Sequence, residues 1–463
     1  MARIAVFIDH DIMVRHFILS GVLPRLEARH DVVFVFPERH KRVKTDLGSL
    51  PIRRHRTLPI SDARAYDYRR LYVATVLRRM RGTRDKAPLF RFWREALGRD
   101  AYWESWLHSW PGLYERYRRR MLARIGDNAP LDALLREERP DVIVHPTVLE
   151  GLFVSDLVRA GQALDIPTVY LMNSWDNPAV KAMMLGAPDR LVVWGEHSRQ
   201  LAHERLDMPL DRVVPLGAAQ LDVYRTTPRE DSASYRRRLG VPEGHRLLLY
   251  AGSSKGLNET AHLLRLEQAI ASGDLPRTTV LFRPHPWRGK PAGEADFFAL
   301  PWKHVMMAPD MADYYRKSRT GEVDFHLADY ADTHVTLSAV DAVISPLSTI
   351  LLEAAMHGKP SVAYLPDEDM RTNSALFTMV RTVHFRVFFE KLDCIQCGTP
   401  EALVADTRRL LDQAGDPAFA ERIRRQSEFF AVLPPRPYAE VLEDLLQGLI
   451  PAPARAGVAA AGA

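Results

Sequence analysis

Residues 341–365 constrain the chain most, because they read as a complete strand–helix–strand unit. Residues 341–344 form a short apolar strand. Ser345 or Ser348 suits a helix cap, and Pro346 is tolerated in a first turn, where its missing N–H would be unpaired anyway. Ile350, Leu351, Ala354 and Ala355 give a helical apolar face. Gly358 and Pro360 end the helix, and residues 361–365 form the next strand. The connecting loop is rich in hydroxyls and runs into the positive end of the helix, which suits a phosphate. Thr349 and Glu353 stand four residues apart on one face, so a carboxylate lies near whatever that end holds, in reach of the vicinal hydroxyls of a ribose. An ordinary capped βαβ unit would need many of the same residues.

The chain has 463 residues, too many for one usual core, and two domains are expected. Its 46% hydrophobic and 26% charged content is that of a globular protein. No run of about 18 apolar residues occurs, so no transmembrane helix is expected. The first apolar run is short and ends at Asp9, His10 and Asp11, as a first strand does and a signal peptide does not. The two cysteines, Cys394 and Cys397, exclude a disulfide framework and fit a reducing cytoplasm. They form one Cys-x-x-Cys with no partner pair, so two ordinary thiols are expected in place of a zinc site. Net charge is +5, yet residues 53–124 hold 18 Arg and 1 Lys against 7 Asp and Glu, so the rest of the chain is net negative. This basic segment also carries Trp93, Trp103, Trp106 and Trp110.

Taken in order, residues 3–9 read as a buried strand, about 13–29 as a helix and 32–37 as a second strand, the opening of a doubly wound α/β domain. No Gly-x-Gly-x-x-Gly follows the first strand. Residues 62–124 look helical and amphipathic, interrupted near Gly82, Pro88 and Pro111. They predict a patch for an anionic membrane or a phosphate-containing acceptor; no nucleic-acid module is visible. A helix at 130–138 precedes strands at 140–145, 166–172 and 191–194, with Glu150-Gly151, the cluster Asn173-Ser174-Trp175-Asp176-Asn177 and Glu196-His197 at their ends. These elements place an N-terminal domain at 1–222, with a basic helical insertion at about 53–128, and a linker at 223–245. A second domain follows at 246–415. Its first strand ends in Gly252, Ser253, Ser254 and Lys255, without the spacing of a P-loop. A strand at 278–282 ends in Arg283-Pro284-His285-Pro286, where two prolines stiffen a loop carrying two cations. Residues 289–330 read as variable and 366–400 as irregular. Helices are expected over 416–450, and the tail 451–463 reads as disordered.

Three of these stretches carry a resemblance. Arg283-Pro284-His285-Pro286 resembles the His-Pro motif of bacterial sialyltransferases, Kdo transferases and CDP-glycerol polyol-phosphate transferases. Ser345-Pro346-Leu347-Ser348-Thr349 with Glu353 resembles their phosphate loop and acidic helix. Residues 174–177 and 188–197 resemble proteins of surface-polysaccharide biosynthesis. The resemblance is to GT-B glycosyltransferases, and covers residues 1–450. It implies two Rossmann-like doubly wound domains facing each other across a cleft, with acceptor on the N-terminal side and nucleotide donor on the C-terminal side. By that resemblance Gly252, Ser253, Ser254, Lys255, Arg283, His285, Ser345, Ser348 and Thr349 would surround the donor phosphates, and Glu353 would face the ribose. The donor would be a nucleotide-sugar of CMP, UDP or CDP type, used as a substrate, with no metal or other cofactor. The acceptor would be a saccharide or lipid-linked glycan, met in the cytoplasm or at the inner face of the membrane.

Departures from the pattern are specific. Ser345 stands where many retaining enzymes have the first Glu of a Glu-x7-Glu pair. The general base is open among Asp9, His10, Asp11, Glu150 and Asp176, with the Asp9–Asp11 loop favoured. Alternatives on the same fold are a CDP-polyol phosphotransferase, a non-hydrolysing 2-epimerase-like isomerase and a non-catalytic scaffold.

Overall fold

A computed structural model describes residues 1–80, 87–253, 257–286, 294–323, 326 and 329–450. The expected disordered tail, and Ser254 and Lys255, lie outside the described residues.

The N-terminal half contributes strands β1 (Arg3–Phe7), β2 (Asp31–Pro37), β3 (His55–Leu58), β4 (Val142–Thr147), β5 (Thr168–Met172), β6 (Arg190–Val193) and β7 (Val213–Pro215). They form one parallel sheet in the order β3-β2-β1-β4-β5-β6-β7. The C-terminal half contributes β8 (Arg246–Ala251), β9 (Thr278–Arg283), β10 (Val305–Met307), β11 (Ala342–Ser345), β12 (Ser361–Tyr364) and β13 (Cys394–Cys397), parallel in the order β10-β9-β8-β11-β12-β13. Both are Rossmann-like. Strand order reverses between β1 and β4 and again between β8 and β11, and ligands of such sheets bind outside the carboxyl ends of the strands at these points.

The central strands are buried on both faces, which is why they read as unbroken apolar runs. The edges differ. β3, with alternating exposure, starts inside the stretch read as an insertion, so the inserted helices begin only at Asp62. The variable stretch holds β10 and the helix Pro309–Thr320. The irregular stretch holds helices Asp367–Thr372, Ser374–Met379 and Val383–Lys391, then β13. The helix expected over 13–29 is instead a single turn at Asp11–Met13, a π segment at Val14–Ile18 and a 3₁₀ turn at Pro24–Ala28. Gly21, at φ +78°, and Pro24 break it. The expected linker contains the helix Ser232–Leu239, whose Tyr235 is buried with Leu247, Leu249 and Val335 of the C-terminal half.

Helix Asp62–Arg79 is part of the N-terminal core, not a surface strip: Tyr72, Val73, Val76 and Leu77 pack with Phe7, Val35 and Leu157. Arg64 is also internal. Its guanidinium donates twice to the buried Asp156 at 2.7 Å, and Tyr68 and Asn128 donate to the same carboxylate. The last helix, Tyr438–Gln447, returns to the N-terminal sheet, where Tyr438, Leu442 and Leu446 pack with Ile4, Val6 and Val32.

Candidate functional site

The two switch points face each other. Loops after β1, β4 and β5 and loops after β8, β9 and β11 line one cavity of about 510 Å³. The N-terminal half contributes His10, Arg15, His16, Arg42, Glu150, Asp176 and Lys181. The C-terminal half contributes Gly252, Arg283, His285, Tyr330, Ser348, Thr349, Glu353 and His384.

On the C-terminal wall, Arg283 ends β9 and is held in place: its Nη1 donates to Thr333 Oγ1 at 2.8 Å and its Nη2 lies 3.5 Å from Asp310. Pro284, His285 and Pro286 follow it along the cavity. Gly252 brings the backbone close to Glu259, whose Oε2 would lie 2.7 Å from a Cβ at this position. That buried carboxylate accepts the Ser253 N–H at 2.5 Å, so Ser253 does not line the cavity. Ser345 also fails to reach it: the residue is fully buried at the end of β11 and its hydroxyl has no partner among the described residues. No side chain caps the helix Ile350–Met356; the Thr349 hydroxyl instead lies 3.4 Å from Trp175 Nε1 of the facing half. Glu353 lines the cavity and accepts a hydrogen bond from the Tyr224 hydroxyl. Burial raises its carboxyl above the ordinary value, against the lowering effects of Tyr224 and Arg283.

On the N-terminal wall, the favoured loop divides. Asp9 and Asp11 are buried and do not line the cavity. Asp9 accepts the Leu152 N–H at 2.9 Å; Asp11 accepts the N–H groups of Lys44 and Thr45 and the Thr45 hydroxyl. Both carboxylates tie loops together. His10 does face the cavity, but its Nδ1 accepts the Ile12 N–H at 3.1 Å. Burial lowers its pKa, with Asp9 opposing. The neutral ring therefore carries its proton on Nε2 and does not serve as a base. Glu150 lies 3.8 Å from Arg42 and 3.1 Å from Arg69, so two guanidiniums occupy it. Asp176 is different. Burial would raise its pKa, but Lys181 and His384 outweigh it and hold the carboxyl below its usual range.

Several cavity residues lie outside the motifs read in the sequence. His16 donates from Nδ1 to Asn173 Oδ1 at 2.5 Å, and its Nε2 accepts from the Tyr330 hydroxyl at 2.9 Å; Arg15 stacks on the Tyr330 ring at 4.3 Å. Arg15 and His16 lie one turn past the Asp9–Asp11 loop, a spacing that could have found them. Tyr330 lies at the end of the variable stretch 289–330 and His384 inside the irregular stretch 366–400, and nothing local marks them. Among the described residues, no group of three or more His, Cys, Asp or Glu is placed to hold a metal ion.

No protein-family model matches the sequence, and no curated protein matches it. Solved structures do. A candidate UDP-N-acetylglucosamine 2-epimerase from Listeria monocytogenes superposes with a TM-score of 0.51 at 11% identity, over 96% of each chain. The chain has the GT-B fold. The wall teichoic acid polymerase TagF matches with a TM-score of 0.49 at 11% identity, over 96% of this chain and 89% of that one. A glycosyltransferase from Rickettsia africae matches with a TM-score of 0.47 at 10% identity, over 97% and 98%. At these identities the likeness is one of fold.

Proposed function

We propose that this protein transfers a sugar from a nucleotide-activated donor to an acceptor hydroxyl. One observation carries the reading: the switch-point loops of both Rossmann-like halves open on a single cavity, cationic and hydroxyl-rich on the C-terminal wall. Breaking the bond from the anomeric carbon to the nucleoside phosphate builds negative charge on the departing oxygen. Arg283, fixed by Thr333 and Asp310, and His285 sit where such charge would develop, and Ser348 and Thr349 add donors. Fixed donors stabilise that charge without reorganising. Glu353, with one oxygen held by Tyr224, has its second oxygen for a ribose hydroxyl.

The transfer also needs a group that takes the acceptor hydroxyl's proton. Asp176 supports that role best, because its carboxylate lines the cavity and, unlike that of Glu150, is paired with no guanidinium among the described residues. Arg15, Arg42 and Lys181 share its wall and suit an acceptor carrying negative charge. The acceptor in this reading is a saccharide or a lipid-linked glycan.

The test is a thermal-shift series with CMP, CDP, UDP, GDP and dTDP, followed by nucleotide release from the matching nucleotide-sugar. One nucleotide should raise the melting temperature by mass action, and Asp176→Asn should lower kcat far more than it raises KM. Absence of stabilisation by every nucleotide would remove the reading. Conversion of the donor with no acceptor present would make the enzyme an isomerase.

A further inference from the structure

The basic segment separates, in three dimensions, into arginines that are used internally and a face that is not. Trp93 is buried, but Trp103, Trp106 and Trp110 are 49%, 40% and 46% exposed. Leu107 and Leu113 are exposed beside them, so five of the eleven exposed large apolar side chains among the described residues fall within 103–113. The three indoles follow helical spacing on Arg99–His108 and just past its end. They form an edge-to-face ladder with centroid distances of 5.7 and 6.0 Å. Arg99, four residues before Trp103, shares their face. The opposite side is anchored: Tyr102, Ser105 and Ser109 are buried, and Ser105 donates to the carbonyls of Ala101 and Arg70.

The next helix, Pro111–Ile125, buries Tyr114, Tyr117 and Met121 against Leu71 and Ala74. Leu113, Arg116 and Arg120, spaced three and four apart, line one of its flanks. Arg116, Arg118, Arg119 and Arg120 are exposed and have no ion-pair partner among the described residues. Nearby acids are already matched: Glu104 lies 2.6 Å from Arg70 and Glu115 2.7 Å from Arg78, with Asp100 the remaining one. An exposed apolar ladder bordered by unmatched cations thus stands on a fixed platform.

We propose that this face, residues 99–120, docks the protein on an anionic phospholipid bilayer. Indoles combine a large apolar body with an N–H and settle at the headgroup level of a membrane. Arginines beside them gain from the negative surface potential, and that gain fades with salt. A second copy of the chain fits less well, since a symmetric contact would set arginine against arginine. This inference stands apart from the proposed transferase activity, because no residue of the face lines the cavity.

The test is co-sedimentation of the full chain with phosphatidylcholine vesicles, with and without phosphatidylglycerol, at low and high salt. Three proteins are compared: the natural chain, a Trp103→Ala/Trp106→Ala/Trp110→Ala variant and an Arg116→Glu/Arg120→Glu variant. All five side chains are exposed, so both variants should keep the natural melting temperature. The natural chain should bind the phosphatidylglycerol vesicles and release at high salt. Each variant should bind them about tenfold or more weakly. Equal binding by all three proteins, or no vesicle binding by the natural chain, overturns the proposal. So does a dimer in sedimentation that only the tryptophan variant loses, because the face would then join two copies. Capture of a polyanion in solution with the same variant sensitivity, but no vesicle binding, overturns it as well.

Discussion

Lowering the pH from 7 to 5.5 should destabilise this protein substantially: three buried imidazoles contribute much of the effect, and His357, likewise pulled down to about 3 by burial, adds to it. His16, His197 and His384 are 5%, 2% and 1% exposed. Burial pulls His16 and His197 down to about 3 and His384 to about 4, from 6.5. His16 is held neutral between Asn173 and Tyr330, while His197 and His384 lie against Trp175. In the unfolded chain all three take a proton near 6.5. Below that pH the unfolded state binds more protons than the folded one, so stability falls as pH falls. Between pH 7 and 5.5 each contributes a loss of about 1.3 kcal/mol, and together about 4 kcal/mol. That is a large share of the roughly 5–15 kcal/mol typical of a folded domain. Glu353, raised by burial, acts in the opposite sense, but as one group. Asp176, lowered, adds to the loss only under more acid conditions, near and below its unfolded value of 3.8. The assay is urea unfolding at both pH values and constant ionic strength, with His197→Leu alongside. His197 Nε2 has no hydrogen-bond partner among the described residues, so replacing it should remove about 1.3 kcal/mol of the pH-dependent loss. A midpoint that does not move with pH, or an equal slope in the variant, refutes the reasoning.

Other expectations follow from single sites. His285→Ala should cut turnover by about 100-fold with an unchanged melting temperature; normal turnover in the folded variant would take His285 out of the site. Gly217→Ala should cost about 2 kcal/mol or more, seen as a lower urea midpoint, because Gly217 has φ +88° and a Cβ there would lie 2.3 Å from the Val432 carbonyl. An unchanged midpoint would show that the 432–434 segment gives way easily.

The central strands were legible because a parallel strand covered on both faces must be apolar along its length, as in Val142–Thr147 and Arg246–Ala251. Three strands at sheet edges, β3, β10 and β13, were not. β3 reads His-Arg-Thr-Leu, β10 has three residues and β13 reads Cys-Ile-Gln-Cys, so none shows a run or a clean alternation. Much of the C-terminal wall was legible because local chemistry marks Arg283, His285, Ser348, Thr349 and Glu353. Ser253 and Ser345 share that local chemistry and differ only in burial, which a sequence window does not contain. The Asp9–Asp11 loop misleads for a related reason. Its carboxylates lie near the correct strand end, but backbone N–H groups of residues 44, 45 and 152 claim them. The contact of His16 with Tyr330 joins residues 314 apart and has no local trace.

The same distance in sequence decides how firmly Asp176 is placed. Its neighbour Trp175 is buried among Phe385, Phe388 and Phe430, edge-on to His384, and its Nε1 reaches Thr349 across the cavity. The loop that carries the proposed base is thereby packed against side chains of the C-terminal wall, although its own strand, β5, belongs to the other sheet. The core is continuous across this seam: Phe7 and Val35 of the first half belong to one apolar cluster with Leu351, Leu352 and Ala355 of the helix that bears Glu353. Large apolar interfaces resist relative domain motion. A geometry set by such packing needs little reorganisation when charge moves, which is the condition for fixed donors and a fixed base to lower a barrier. Trp175 thus does for the loop of the proposed base what Thr333 and Asp310 do for Arg283: it fixes the position of a charged group, through contacts the chain makes only once both halves are folded.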